Sequence, residues 1–300
     1  MQFSIFQVAT AQWRSEEQSG SYLADTIEKP KANKWTNNFD AESLRGAKVL
    51  VTGSSKGIGE QMAYHYARFG AKIVITARSK DTLQKVVEKC LSLGAQEAFY
   101  IAADMSNEAD LDRVVDFALK KLGGLDYLVL NHIGSTRVAM WDGDVEHAKW
   151  LMKINFFSYI QMAWKALPSL EKNKGSLVIV SSLAGKMPSP LTAPYVSTKS
   201  ALNGFFGSLR HELAMKKSNV SISVCTLGLI DTETAMSKVK GKVNMPAYPA
   251  TEAALNIIIT GATRQPELFY PWFTYIWTLT KDWIPSFTDY VVQRSYNYNP

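Results

Sequence analysis

The stretch Lys48 to Glu60, KVLVTGSSKGIGE, constrains the fold of this chain more than any other. Val49, Leu50 and Val51 form an aliphatic run too short for a helix and stopped at once at Gly53, as a buried parallel strand would be. In the turn that follows, Gly53 permits a tight reversal and Gly57 lets the backbone come close to a phosphate. Gly59 opens a helix whose Ile58, Met62, Ala63, Tyr66 and Ala67 recur at helical spacing. Such a helix start presents free N–H groups and partial positive charge to an anion. Glycines at this spacing are, by themselves, equally consistent with a strand-turn-helix that binds nothing.

The next apolar run, Ile73 to Thr76, comes about twenty residues on, where a second strand presents its last residue to an adenosine ribose. No acid stands there. Ala77 is followed by Arg78 and Ser79, and the turn itself carries Lys56, so the position suits a 2′-phosphate better than a free ribose and favours NADP(H) over NAD(H). The alternative for Arg78 is a solvated surface charge.

A chain of 300 residues with 46% hydrophobic residues can bury one substantial α/β core. The domain is expected over residues 41–285, between a mobile N-terminal segment, 1–40, rich in Gln, Ser, Asn and Lys, and a C-terminal tail, 286–300. The net charge of +6 is dispersed, which suits anionic ligands in general and gives no case for nucleic acid. Cys90 falls in a helical pattern and Cys225 in a strand-like run, so small buried thiols are expected, with no disulfide or metal site.

Further short apolar runs, Ala98 to Ala103, Tyr127 to Leu130, Leu177 to Val180 and Ile222 to Thr226, alternate with longer amphipathic segments. This rhythm predicts an α/β fold: a single Rossmann-type, doubly wound parallel sheet with helices on both faces. Right-handed crossovers align the strand ends along one edge, where ligands bind in such sheets. The residues there are Asp104, Asn131, Ser181, Ser182 and Gly228. Asp104 can accept from an adenine amine or serve as a helix N-terminal acid.

From Ser182 to Lys199 the sequence reads SLAGKMPSPLTAPYVSTK. Pro194 suits a helix start, and Tyr195 and Lys199, four apart on that helix, share a face. An ammonium beside a phenol favours the phenolate, so Tyr195 is expected to have a lowered pKa and to pass a proton to or from a carbonyl or alcohol oxygen. Ser182, from a neighbouring strand end, can hold the same oxygen.

In combination, TGSSKGIG, the segment Asn131-His132-Ile133, Asn155 in KINF, Ser182 in VSSLAG, YVSTK and LGLIDTETAM from Leu227 to Met236 resemble the short-chain dehydrogenase/reductases, and among them the hydroxysteroid branch. The likeness runs from about Asn37 to Trp283. It implies Tyr195 as general acid/base, Lys199 binding the nicotinamide ribose and supporting the tyrosine, Ser182 orienting the substrate oxygen, and Asn155 anchoring a relay water. It also implies NADP(H) lined by Gly53, Ser55, Lys56, Gly57, Ile58, Gly59, Arg78, Ser79, Asp104, Met105, Asn131, His132, Ile133, Gly228 and the stretch Ile230, Asp231, Thr232 and Thr234. Two departures from the broad family, Asn131-His132-Ile133-Gly134 for Asn-Asn-Ala-Gly and Leu227-Gly228 for Pro-Gly, both match the hydroxysteroid branch. They make His132 a packing residue and not a catalyst.

Residues 234–250, with Gly241, Pro246 and Pro249, have the composition of a mobile lid over a substrate. Beyond Arg264 the chain is aromatic, with Phe269, Tyr270, Trp272, Phe273, Tyr275, Trp277 and Trp283. That pattern reads as a helix packed on the body or a partner subunit, or as a peripheral membrane helix admitting an apolar substrate. Family habit favours a homodimer. Met1 to Val8 makes a poor signal peptide and no apolar run approaches the roughly 18 residues of a membrane span, so the residues read as cytoplasmic. The sequon at Asn219 and the resemblance favour the endoplasmic reticulum lumen or secretion instead. The expected activity is interconversion of a secondary alcohol and a ketone on a steroid-like apolar molecule. The alternatives are reduction of retinoid or xenobiotic carbonyls, or a non-catalytic NADP(H)-binding module.

Overall fold

The structure, a computed structural model, describes residues 39–298. All but the last two residues of the segment 1–40 therefore lie outside the described residues. Nine strands are found among those described: β1 Lys48–Thr52, β2 Lys72–Ala77, β3 Glu97–Ala102, β4 Tyr127–Leu130, β5 Ser176–Val180, β6 Ser221–Leu227, β7 Ile230–Asp231, β8 Tyr248–Pro249 and β9 Glu267–Tyr270. Seven form one sheet in the order β3-β2-β1-β4-β5-β6-β9, every pair parallel. The chain winds outward from β1 to β3, then returns to β4 beside β1 and winds the other way. The strand ends of β1 and β4 are thus the topological switch point, where loops leaving in opposite directions open a crevice.

The helices are α1 Gly57–Arg68, α2 Lys80–Ser92, α3 Glu108–Leu122, α4 Val145–Met152, α5 Ser158–Asn173, α6 Ala193–Met215, α7 Glu233–Val239, α8 Ala250–Ala262, α9 Phe273–Trp283 and α10 Pro285–Arg294. On one face of the sheet α1 packs with α8 and α2; α3, α5 and α6 cover the other. With both faces covered, the central strands are buried along nearly their whole length, as β5 is from Ser176 to Val180. Leu50, Leu128, Leu177 and Ile179 meet Val114, Met162 and Phe206 in the core. Cys90 on α2 and Cys225 on β6 are buried free thiols, as their patterns predicted.

Every strand expected from an apolar run is present, its ends within one residue of the predicted ones. The edge strand β9 was not foreseen, because its Glu-Leu-Phe-Tyr sits inside the aromatic region and lacks an aliphatic run; it pairs with β6 from Glu267 to Tyr270. The boundary expected at 286 falls inside α10, whose Thr288 hydroxyl bonds to Thr280 of α9 at 3.1 Å. Trp272, Tyr275, Ile276, Leu279 and Trp283 recur on one side of α9 and are exposed, Trp283 at 84%, so this stripe does not pack on the body. No helix among the described residues is long and apolar enough to cross a membrane.

Candidate active site

The glycine turn folds as it does because two of its residues need φ values that a side chain would strain: Gly53 at +68° and Gly57 at +64°. A Cβ on Gly53 would also stand 2.8 Å from the His132 backbone. Helix α1 opens at Gly57, not at Gly59. Gly59 has a different task, since a Cβ there would run into the Gly53 carbonyl and stand 2.7 Å from Asn131 Nδ2. Its bare backbone lets the helix start close against the turn, leaving the first N–H groups of α1 facing the crevice. Lys56 extends from the turn, its Nζ 3.9 Å from Glu233, both exposed. Arg78 and Ser79 follow β2 as exposed residues, with the Ser79 hydroxyl 2.9 Å from that of Thr82. Ser55 and Ile58 are half-buried in the turn, Met105 is buried beyond β3, and Ile133 is 49% exposed beyond β4. Gly228 follows β6, and Ile230 to Thr232 leads into α7, which carries Thr234 in its first turn and is capped by the Thr232 hydroxyl accepting from Ala235 N–H at 3.2 Å. Asp104 accepts at one oxygen from both the N–H and the hydroxyl of Ser106, so it closes a turn. The cap of α3 is Asn107.

The crevice is held open by one buried hydroxyl. Thr52 Oγ1, at the end of β1, accepts from Asn131 N–H at 2.9 Å, lies 2.8 Å from His132 Nδ1 and donates to Val129 O at 3.3 Å. The Asn131 amide donates in turn to the Thr52 and Gly53 carbonyls. Thr52 was missed at the sequence level, although it immediately precedes the first glycine. His132, expected along the cofactor groove, turns its ring into the protein, where Nε2 lies 2.7 Å from Ser158 Oγ and its carbonyl accepts from the Tyr159 hydroxyl. Burial and the Lys199 charge push this imidazole down to about 3, so it is neutral. Only its backbone, packed on Gly53, borders the crevice.

Helix α6 carries Tyr195 and Lys199 one turn apart, with Pro194 in its first turn as expected. Lys199 is 1% exposed; its Nζ donates to Val180 O at 2.8 Å and lies 5.8 Å from the centre of the Tyr195 ring. Tyr195 is half-buried, and the Ser182 side chain at the end of β5 hydrogen-bonds to it. The three residues singled out from two motifs, VSSLAG and YVSTK, are therefore together. The expected acidification of the phenol is not what the free protein shows. Burial raises the Tyr195 pKa, Ser182 pulls it back only in part, and Lys199 itself is driven down to about 7 by the same burial. Desolvation outweighs the attraction between amine and phenol because both groups lose water and the amine points at a carbonyl.

Asn155 lies in a π-helical turn, Lys153–Phe157, between α4 and α5. Its Oδ1 accepts from Gly134 N–H at 2.7 Å and its Nδ2 donates to Thr198 Oγ1 at 3.2 Å. The Asn155 side chain is a fully buried brace between the loop after β4 and α6. Thr198, the second residue overlooked in the sequence, lies inside the YVSTK motif and ties the brace to Tyr195 O at 2.8 Å.

Beside this cluster the segments 136–147 and 189–194 enclose a cavity of ≈ 260 Å³ with largely apolar walls, among them Met140, Trp141, Leu151, Leu191 and Pro194. A larger hollow of ≈ 330 Å³, lined by Arg45, Asp126 and Arg264, lies at the opposite edge, where the strands begin and no reactive cluster stands. The expected lid holds all but the first residue of α7 and the short strand β8, which pairs with β7 just ahead of the lid, and it is tied down on one side by Lys242 Nζ, which donates to Val138 O at 2.6 Å.

Comparison with known proteins gives the following. Residues 47–243 match the family described as short chain dehydrogenase. The hydroxysteroid 11-beta-dehydrogenase 1-like protein of Danio rerio is 63% identical over 270 residues, 90% of this chain and 94% of that protein. The protein of the same name in Gallus gallus is 59% identical over 265 residues, 88% and 92% of the two chains. Among solved structures, a short chain dehydrogenase from Burkholderia cenocepacia in complex with NADP is 26% identical with a TM-score of 0.66, covering 75% of this chain and 96% of that one. A short chain dehydrogenase/reductase from Burkholderia phymatum in complex with NAD, 18% identical with a TM-score of 0.71 over 81% and 95% of the chains, shares the fold.

Proposed function

The chain belongs to the short-chain dehydrogenase family, and on that premise we propose that it is an NADP(H)-dependent oxidoreductase interconverting a secondary alcohol and a ketone on an apolar, steroid-like molecule. The observation that carries this reading is the meeting of Ser182, Tyr195 and Lys199 beside the crevice at the β1/β4 switch point.

The glycine turn fits a dinucleotide: Gly53 and Gly57 leave the space that side chains would fill, and α1 presents its N-terminus there. Lys56 and Arg78, with no acid at the end of β2, favour a 2′-phosphate, and the exposed Glu233 near Lys56 opposes it only weakly. NADPH, when bound, supplies the hydride. Ser182 holds the carbonyl oxygen of the ketone while the Tyr195 O–H bond breaks toward that oxygen, yielding the alcohol. The tyrosinate left behind is stabilised by the Lys199 ammonium, which returns a proton to it and is recharged in turn by a proton from solvent. An amine with a pKa of about 7 is suited to that exchange at neutral pH. Oxidation of the alcohol reverses each step.

The similarity to proteins named hydroxysteroid 11-beta-dehydrogenase 1-like supports a steroid-like substrate, and the apolar walls beside the site suit one. The exposed stripe on α9 is the surface through which we propose contact with a lipid bilayer. Asn219 is exposed at the turn before β6, accessible for glycosylation if the chain enters the secretory pathway. The test of the reaction is direct. Purified protein with NADPH and a steroid ketone should consume the reduced-nicotinamide absorbance, and Tyr195→Phe should lose that activity by a factor of about 10² to 10⁴ while still binding NADPH. A protein that binds NADPH tightly, reduces no ketone of a broad panel and is indifferent to Tyr195→Phe would be a non-catalytic module.

A further inference from the structure

The helix that carries Asn155 changes register where Asn155 stands. In the π turn Lys153–Phe157 the Ser158 N–H donates to Lys153 O, five residues back, whereas an α-helix would have it donate to Ile154 O. The Ile154 carbonyl, in a buried residue, has thus lost its α-helical donor. Two side chains take over. The Ser158 hydroxyl donates to it, and His132 Nε2, from the loop after β4, lies 3.2 Å from it and 2.7 Å from Ser158 Oγ. A carbonyl only accepts, so the proton of this neutral imidazole sits on Nε2, shared between Ile154 O and Ser158 Oγ. Nδ1 then receives a share of the Thr52 hydroxyl proton at 2.8 Å. The ring is wedged between the end of β1 and the start of α5, its centre 4.5 Å from that of the Tyr159 ring.

We propose that His132 is a positioning residue of the reaction: its imidazole stands in for the helix N–H at Ile154 O and so fixes the π turn that holds Asn155 against α6, the helix of Tyr195. This rests on the function proposed above. A π turn holds one residue more than an α turn and re-phases the side chains on its two sides by about 100°, one residue's rotation. That offset lets α5 lay Tyr159, Met162 and Ala166 in the core while Asn155 reaches Gly134 N–H and Thr198 Oγ1. The contacts then run from Thr198, whose hydroxyl donates at 2.8 Å, to Tyr195 O. Without the imidazole, Ile154 O is best satisfied by taking back the Ser158 N–H, which unwinds the π turn and draws Asn155 away from Thr198. Tyr195 then shifts relative to Ser182, so the loss falls on proton transfer and hardly on the affinity for cofactor or ketone.

The experiment compares the parent with His132→Gln, His132→Leu and Ser158→Ala, using NADPH and a steroid ketone. Glutamine puts an amide nitrogen near the place of Nε2 and should keep kcat within about threefold of the parent. Leucine fills the space without a donor and should lower kcat about tenfold or more, the worth of one hydrogen bond to a buried carbonyl. In both variants KM for the ketone and Kd for NADPH should stay within about threefold of the parent. Both lose the contact with Thr52, so that contact cannot produce the difference between them. Ser158→Ala removes the other side-chain donor from Ile154 O, carries the test if the leucine variant does not fold, and should lower kcat about threefold to tenfold. Amide hydrogen exchange without any ligand should be faster over residues 153–159 in His132→Leu than in the parent, and unchanged in His132→Gln. A parent-like kcat in His132→Leu or in Ser158→Ala, or equal losses in the leucine and glutamine variants, overturns the positioning role. Unaltered exchange over 153–159 overturns the hold on the turn. A parent that reduces no ketone refutes the proposed reaction, and with it any part of His132 in it, while the exchange measurement still decides the turn.

Discussion

Replacing Lys199 by methionine should make the cofactor-free protein more stable and catalytically dead. The amine is 1% exposed and driven from the ordinary lysine value of 10.5 to about 7 by burial. The unfolded chain therefore binds a proton there that the folded chain holds poorly. At about 1.4 kcal/mol for each factor of ten in proton affinity, folding at pH 7 bears a penalty of roughly 4 kcal/mol. Methionine has a similar length and no charge to desolvate. It leaves the Val180 carbonyl without its donor, which costs about 1–3 kcal/mol, so the net gain at pH 7 is about 2 kcal/mol. For a domain of this size that is a rise in Tm of roughly 4–8 °C. The sign of the pH dependence follows from the lowered pKa. Between pH 7 and 10.5 the unfolded state binds the extra proton, so wild-type stability rises with pH across that window. At pH 9 the penalty has shrunk to roughly 2 kcal/mol, and the variant's advantage should vanish. Urea unfolding of both proteins at pH 7 and pH 9 measures this, all other titrations cancelling in the difference. A variant less stable than wild type at pH 7, or an advantage that does not shrink by pH 9, refutes the claim that burial governs this amine.

Three further perturbations bear on the crevice. Gly59→Ala pushes a methyl into the Gly53 carbonyl and Asn131 Nδ2. It should cost about 1–3 kcal/mol in urea unfolding and weaken NADPH binding measured by fluorescence titration, whereas the same change at Gly143, with nothing within 4 Å, should leave NADPH binding unaltered. Thr52→Val keeps the shape but strips the hydroxyl from Asn131 N–H, His132 and Val129 O, and should destabilise by about 2–4 kcal/mol. An unfolding midpoint equal to that of wild type would mean the hydroxyl is not the hub described. The neutral His132 predicts that wild-type stability is lost as pH falls from 6.5 toward 3, where only the unfolded chain gains that proton. The deficit of His132→Asn at pH 7 should therefore narrow by pH 4, and a deficit that widens on acidification would show the imidazole to be charged when folded.

What the sequence made legible was periodic or local. Aliphatic runs announced six strands because a parallel sheet covered on both faces leaves them few polar positions, and β9 escaped because its four residues are only half-buried and include a single aliphatic side chain, Leu268. Tyr195 and Lys199 were legible because one helical turn brings them together. The bonds that hold the crevice join Thr52 to His132 and Asn155 to Thr198, partners 80 and 43 positions apart, and no spacing rule reaches that far. The bridge that joins Val243 to Tyr296 is of the same kind. The misjudged pKa of Tyr195 has a related cause: helical spacing gives the proximity of a charge, whereas the sign of the shift depends on how much water the fold removes. Burial of Lys199 is thus a property of the assembled sheet edge, since Val180, Tyr159 and Tyr195, which surround the amine, come from β5, α5 and α6. An amine so placed destabilises the free protein, and a ligand that offers it hydrogen-bond acceptors should recover that energy as affinity. Cofactor binding should accordingly be tighter, relative to the free protein's stability, than the exposed Lys56 and Arg78 alone would provide.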